Sequence, residues 1–264
     1  MSLNIIRGLL NALEIAILLH SIINTIRLIR REKLSVPVIF FAMGAMALVV
    51  SLVYWLAYDL IMPPDIRMPF AANELGESAG FLLIASSLKA AFGEKMNLRT
   101  KETALGLAFT AVNIFLWIGW SGEIIQDLVG GAAFGYLVCI MLNSLRRSSV
   151  FSRRTGIAAV VLFTLITALA LPSIYFPEPM RAAADAYPYP LIILSSIYFT
   201  WRAAKSMRGA SAGKEAYAAA AFCYVWCTAG MYMCSEPVYY IPNILAIISV
   251  QIMMLSLRKA VNEL

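Results

Sequence analysis

Charge is what this sequence has least of. Only 14% of its 264 residues are Asp, Glu, Lys or Arg, against roughly 25% in soluble domains, which argues against a water-soluble globule. Histidine occurs once, at His20, so neither a bis-histidine haem site nor a His-x-x-x-His zinc motif is possible. No glycine-rich phosphate cradle is present, and no Ser, His and Asp stand in a plausible catalytic frame. Every lysine falls in a loop or at the end of an apolar run, which leaves none for a retinal Schiff base. The four cysteines, Cys139, Cys223, Cys227 and Cys234, all lie in apolar stretches. Their spacing matches neither a zinc ribbon nor a secreted disulfide framework. The sequence implies no cofactor, and catalysis is not the expected activity.

What is present is apolar surface. Hydrophobic residues make up 61% of the chain, arranged in runs near the roughly 20 residues a helix needs to cross a hydrocarbon core. The runs predict an all-α, polytopic integral membrane bundle forming one transmembrane domain over 1–264. About nine spans are expected, at 4–27, 36–60, 69–91, 102–121, 124–145, 155–176, 187–205, 215–234 and 238–258. Only Trp120, Ser121, Gly122 and Glu123 divide the fourth from the fifth, which predicts a tight hairpin. The first run is followed rather than preceded by its basic cluster and has no Ala-x-Ala-like site, so it reads as a retained helix and not a signal peptide.

The net charge of +6 is distributed as membrane insertion requires, not as a nucleic-acid surface. Basic groups follow every second span: Arg27, Arg30, Arg31 and Lys33; Lys89, Lys95, Arg99 and Lys101; Arg146, Arg147, Arg153 and Arg154; Arg202, Lys205, Arg208 and Lys214; Arg258 and Lys259. These are 18 of the 21 basic residues, leaving Arg7, Arg67 and Arg181 on the other side. The bias predicts an outer N-terminus and a cytoplasmic C-terminus in a cytoplasmic or inner membrane. Tyr54, Trp55, Tyr58, Trp117, Trp120, Tyr175, Tyr187, Tyr189, Tyr232, Tyr239 and Tyr240 suit an outer aromatic belt, and Trp201 and Tyr217 an inner one.

A spacing recurs within this frame. Ser87-Leu88-Lys89, Ser144-Leu145-Arg146, Thr200-Trp201-Arg202 and Ser256-Leu257-Arg258 lie 57, 56 and 56 residues apart, each closing a helix that runs inward. They suggest one leading helix plus four similarly oriented hairpins, about 36–95, 96–152, 153–208 and 209–264. Similar hairpins also produce such spacing without duplication.

Candidate chemistry is acidic. Glu14 falls near mid-membrane, where a carboxylate costs roughly 2.5–3.5 kcal/mol and usually faces the bundle interior. Asn11 and Ser21 share its face, and His20 and Asn24 form a separate pair at i and i+4. Such a network either binds a proton or cation or simply fixes helix packing. Asn73, Glu74 and Glu77 open the third span, and Glu123 and Asp127 the fifth. Helix N-termini favour acids in any case. Even so, with Asp59, Asp65, Glu178, Asp185 and Glu236, nine acids face three basic residues on the outer side, a balance that attracts cations. Gly76-x-x-x-Gly80 and Gly131-x-x-x-Gly135 are close-packing motifs, and if they meet each other Glu74 or Glu77 approaches Asp127. Cys223, Cys227 and Cys234, with Met231 and Met233 nearby, are either soft ligands for Cu(I) or plain interface residues.

The expected function is a transporter or channel-like carrier for a cation or cationic small solute, its candidate partners being the lipid bilayer and a second copy. A sensor or assembly subunit acting through a separate membrane or cytoplasmic partner protein is the alternative, and a lipid-modifying intramembrane enzyme a more distant one. No nucleic acid is expected. The topology is testable: single cysteines at Arg99, Ser152 and Ala210 should be labelled only from the cytoplasmic side, and at Asp65 and Ala183 only from outside. One reversed position breaks the nine-span assignment from that point onward.

Overall fold

A computed structural model describes residues 3–31, 35–61, 72–93, 101–146, 148–177, 179–208, 212–235 and 237–262. Lys33, Asp65, Arg67, Lys95, Arg99, Arg147, Glu178, Ala210 and Glu236 lie outside the described residues, as do the side chains of Arg7, Arg31, Asp59 and Trp120. The helices are α1 (Leu3–Arg31), α2 (Val36–Ile61), α3 (Ala72–Phe92), α4 (Lys101–Ser121), α5 (Ile124–Leu145), α6 (Arg153–Ala170), α7 (Met180–Ala186), α8 (Tyr189–Arg208), α9 (Gly213–Met233) and α10 (Tyr240–Asn262). No strand occurs among the described residues.

Local chemistry sets the breaks. Gly122, at φ 76°, turns α4 into α5, and the Ser152 hydroxyl caps α6 by accepting from the Thr155 N–H at 3.1 Å. The expected sixth span to residue 176 stops sooner. Pro172 has no N–H to offer the carbonyl one turn back, so α6 ends at Ala170 and tightens into a 3-10 turn over Leu171–Tyr175. The seven-residue α7 that follows was not expected from the hydropathy pattern.

Contacts along the long helices give their directions. Ser87 reaches the Pro37 carbonyl at 2.6 Å while Gly76 lies against Ala47, so α2 and α3 are antiparallel. Phe81 meets Phe134, and the Ser78 hydroxyl lies nearest Gly130, making α3 and α5 parallel. Asn113 donates to the Thr164 hydroxyl at 3.0 Å while Glu102 pairs with Arg153, so α4 and α6 are parallel. The α9 helix runs against α3, with Tyr217 at Ser87 and Tyr232 at Glu77. It also runs against α8, with Trp226 at Ser195 and Ser235 at Tyr189. Helices α1, α3, α5, α8 and α10 therefore point one way and α2, α4, α6 and α9 the other, the alternation that nine crossings require.

Seven of these helices are long and apolar enough to cross a membrane: all the long ones except α8 and α9. The exceptions have a physical cause. Every residue of α9 from Ala216 to Gly230 is buried, against α10, α8, α5, α3 and α6, so α9 needs no hydrocarbon-facing surface. Ala218 to Ala221 keep it narrow enough for neighbours on all sides. In α8, Arg202, Lys205 and Arg208 fill the last turns and lower its apolar character.

Three expectations about packing change. Tyr217 is not in an aromatic belt; it is fully buried, with its hydroxyl 2.7 Å from that of Ser87. The two glycine motifs do not meet: Gly76 and Gly80 lie against Ala47, Leu48 and Ser51 of α2, whereas Gly131 and Gly135 lie against Ile114, Trp117 and Thr110 of α4. Finally, α2 with α3, α4 with α5 and α9 with α10 pack as hairpins, but α6 packs on α4, α5 and α9 while α8 packs on α9 and α10. The inserted 3-10 turn and α7 give that connection the length to separate its helices. The four recurring positions Ser87, Ser144, Thr200 and Ser256 are all buried.

Glycine substitutions test this packing. A methyl at Gly213 collides with the backbone of Ala260, and one at Gly76 falls 2.8 Å from the Ala47 carbonyl, whereas one at Gly119 meets only Leu171 at 3.7 Å. Gly213→Ala and Gly76→Ala should each cost about 1–3 kcal/mol. Gly119→Ala should be neutral or gain up to about 1 kcal/mol of helix propensity. Thermal unfolding in one detergent or lipid checks the order.

Candidate functional site

The polar seam between α1 and α10 is the most developed candidate. Glu14 is 1% exposed and level with Asn243 near the start of α10, so its carboxyl lies toward the acidic end and not at the expected mid-membrane depth; Ser21, seven residues or about 10.5 Å further along α1, is level with Gln251 at the midpoint of α10. The Asn243 side-chain amide donates to Glu14 Oε1 at 2.5 Å, and Asn243 also lies 3.4 Å from the Tyr239 hydroxyl one turn earlier. Glu14 Oε2 has no hydrogen-bond partner among the described residues. Two turns along, the Ser21 hydroxyl donates to Gln251 Oε1. Seven residues on α1 thus match eight on α10, which only parallel helices in contact allow. Asn11 is buried one turn before Glu14.

His20 does not join this seam. Six residues from Glu14, it points about 120° away around the helix, is exposed, and hydrogen-bonds only to Asn24, at 2.8 Å, among the described residues.

The acidic residues at the other end separate into different roles. Glu77 accepts from the Tyr232 hydroxyl at 2.5 Å, which ties α3 to the end of α9, and Glu74 lies half-buried one turn earlier on α3. Asp127 accepts from the Ser121 hydroxyl, and that same oxygen accepts from the Glu123 N–H at 2.9 Å. These bonds close the α4–α5 turn. The contact between the two glycine motifs, through which Glu74 or Glu77 was expected to approach Asp127, does not form. The α3–α5 contact itself runs through Phe81 and Phe134.

Cys223 and Cys227 are buried in α9, with Cys227 Sγ 3.9 Å from the Thr200 hydroxyl of α8, and Cys234 is the half-buried cap of α9. No group of three or more His, Cys, Asp or Glu side chains is placed to hold a metal among the described residues.

Sequence reasoning missed the partners more than the acids. Asn243 and Gln251 interrupt an otherwise apolar α10 eight residues apart, and polar side chains at membrane depth are themselves a signal. Glu102, the first residue of the expected fourth span, was also missed. It is 3% exposed and meets Arg153 Nε at 2.5 Å and Arg146 at 3.8 Å, fastening the start of α4 to the end of α5 and the start of α6.

The seam predicts a stability effect. Asn243→Leu removes the donor to Glu14 and leaves the carboxyl buried without a partner, a loss of about 1–3 kcal/mol. Combining it with Glu14→Leu, which removes the buried carboxyl as well, should cost less than the sum of the two single changes, because the residues touch; additive melting temperatures across the four proteins would count against the contact. Comparison of the chain with protein families, characterised proteins and solved structures finds no match, so the site is interpreted from its own geometry.

Proposed function

We propose that this protein is a small multi-pass membrane carrier for a cation or cationic small solute, and that Glu14 is the group that binds it. One observation carries the reading. A buried carboxyl inside the bundle, toward its acidic end, has one oxygen held by Asn243 and the other without a hydrogen-bond partner among the described residues. Membrane proteins place such groups in the interior on proton and ion paths. Asn243 acts as a positioning residue, fixing the carboxyl so that Oε2 remains available.

The acidic end supports the same reading. Glu74, Glu77, Glu123 and Asp127 lie at the end opposite Lys89, Lys101, Arg146, Arg153, Arg202, Lys205, Lys214 and Lys259, and so make a field that draws cations toward it. By the positive-inside rule the basic end is cytoplasmic, the acidic end faces out, and the chain sits in a cytoplasmic or inner membrane with its N-terminus outside.

Uptake into proteoliposomes tests the proposal. Glu14→Gln keeps the shape and most of the hydrogen bonding but removes the exchangeable acid proton and the charge. It should remain folded, with a melting temperature close to wild type, and lose uptake driven by a pH or cation gradient. Glu14→Ala should lose both uptake and stability. Full, normally pH-dependent uptake by Glu14→Gln removes Glu14 from the mechanism.

A further inference from the structure

One face of α1 has a composition that lipid alone does not explain. Ala12, Ala16 and His20 are exposed at successive turns, and Asn24 follows half-buried on the same ridge. Exposed Leu9, Leu13, Leu19, Ile23 and Ile26 flank it. Asn113 and Ser196, polar side chains in the middle of α4 and α8, are buried. His20 is the contrary case: three residues from the midpoint of α1, it points out of the bundle into what is hydrocarbon at that depth.

The hydrogen bonding of the pair identifies what fits it. Asn24 Nδ2 lies 2.8 Å from His20 Nε2, so the amide donates and Nε2 accepts, and the neutral ring carries its proton on Nδ1. The pair then presents one donor, His20 Nδ1–H, and one acceptor, Asn24 Oδ1. Neither has another hydrogen-bond partner among the described residues. A donor beside an acceptor is self-complementary: across a twofold axis each His20 can donate to the opposite Asn24, and both groups are satisfied. Ala12 and Ala16, one turn apart, let the two backbones come close enough for this. A ridge of residues four apart favours the right-handed crossing of small-residue membrane pairs, about −40°.

We propose that the Ala12–Ala16–His20–Asn24 face of α1 is the interface of a parallel twofold dimer with a second copy of this chain. Two copies inserted by the same positive-inside bias have α1 pointing the same way, as the pairing needs. The face lies on the side of α1 away from Glu14, so dimerisation leaves the α1–α10 seam intact and does not depend on the carrier reading.

Two measurements on the full chain in lipid vesicles decide it. Subunit counting by stepwise photobleaching, at low protein-to-lipid ratio, should find two copies of wild type but one of Ala16→Ile and of His20→Leu, with helix content by circular dichroism unchanged. Under mild oxidation Ala16→Cys should give a disulfide-linked dimer, while Val161→Cys, exposed on α6, should not. The cross-linking arm stands even if the bulky variants fold poorly. A wild type that counts as one copy, a dimer unaffected by both substitutions, or cross-linking through Val161→Cys in place of Ala16→Cys overturns the proposal. So does stoichiometric cross-linking of Ala16→Cys to a different polypeptide.

Discussion

The burial of α9 on every side is the constraint on which the rest of the bundle depends. In lipid no hydrophobic force distinguishes one apolar surface from another, so close packing and interhelical hydrogen bonds must hold helices together. Ala218 to Ala221 and Gly230 let α8 and α10 approach, with Ile192 and Pro242 nearest Gly230. Larger side chains at the other turns, Phe222, Tyr224 and Trp226, fill the space toward α3, α5, α6 and α8. Helices α1, α2 and α4 then form the periphery and carry much of the exposed apolar surface, including Leu13, Val50 and Phe115.

Polar contacts fix register within this packing more than they add stability. An interhelical hydrogen bond in a membrane averages only about 0.6 kcal/mol, because the separated helices find other partners. Tyr217 at Ser87 and Tyr232 at Glu77 nevertheless pin α9 to α3 near both ends, so a slide by one turn breaks both bonds. The Glu14–Asn243 and Ser21–Gln251 contacts do the same for α1 on α10. Glu14 thus lies where a peripheral helix meets one of the most deeply buried ones.

The basic end is more heavily cross-tied than its charge pattern suggests. Glu102 joins Arg153 and Arg146, Glu215 accepts from Ser149, and Arg202 donates to the Val150 carbonyl at 2.8 Å while lying over the Phe151 ring. Three arginines of the basic end, Arg146, Arg153 and Arg202, therefore also hold its connections in place. Exposed ion pairs alone contribute little, but Glu102 is buried, and one carboxylate shared between two helix starts and a helix end gives the tie its geometry.

Hydropathy and charge order by themselves determined that this is an all-helical bundle of long apolar segments, with boundaries close to those observed, because the length of a bilayer crossing and the cost of burying charge act on each segment separately. They also marked Glu14, since a carboxylate within an apolar span is costly wherever its helix packs. Which helix lies in the centre was decided only in the tertiary structure. Inside lipid a core-facing and a lipid-facing side chain are equally apolar, so α9 has no polar face to read, and only its alanines and modest hydropathy hint at its place. The partners followed the same rule. Asn243 for Glu14, Tyr232 for Glu77 and the separate neighbours of the two glycine motifs depend on which helix faces are brought together, and the periodicity of a single helix does not contain that choice.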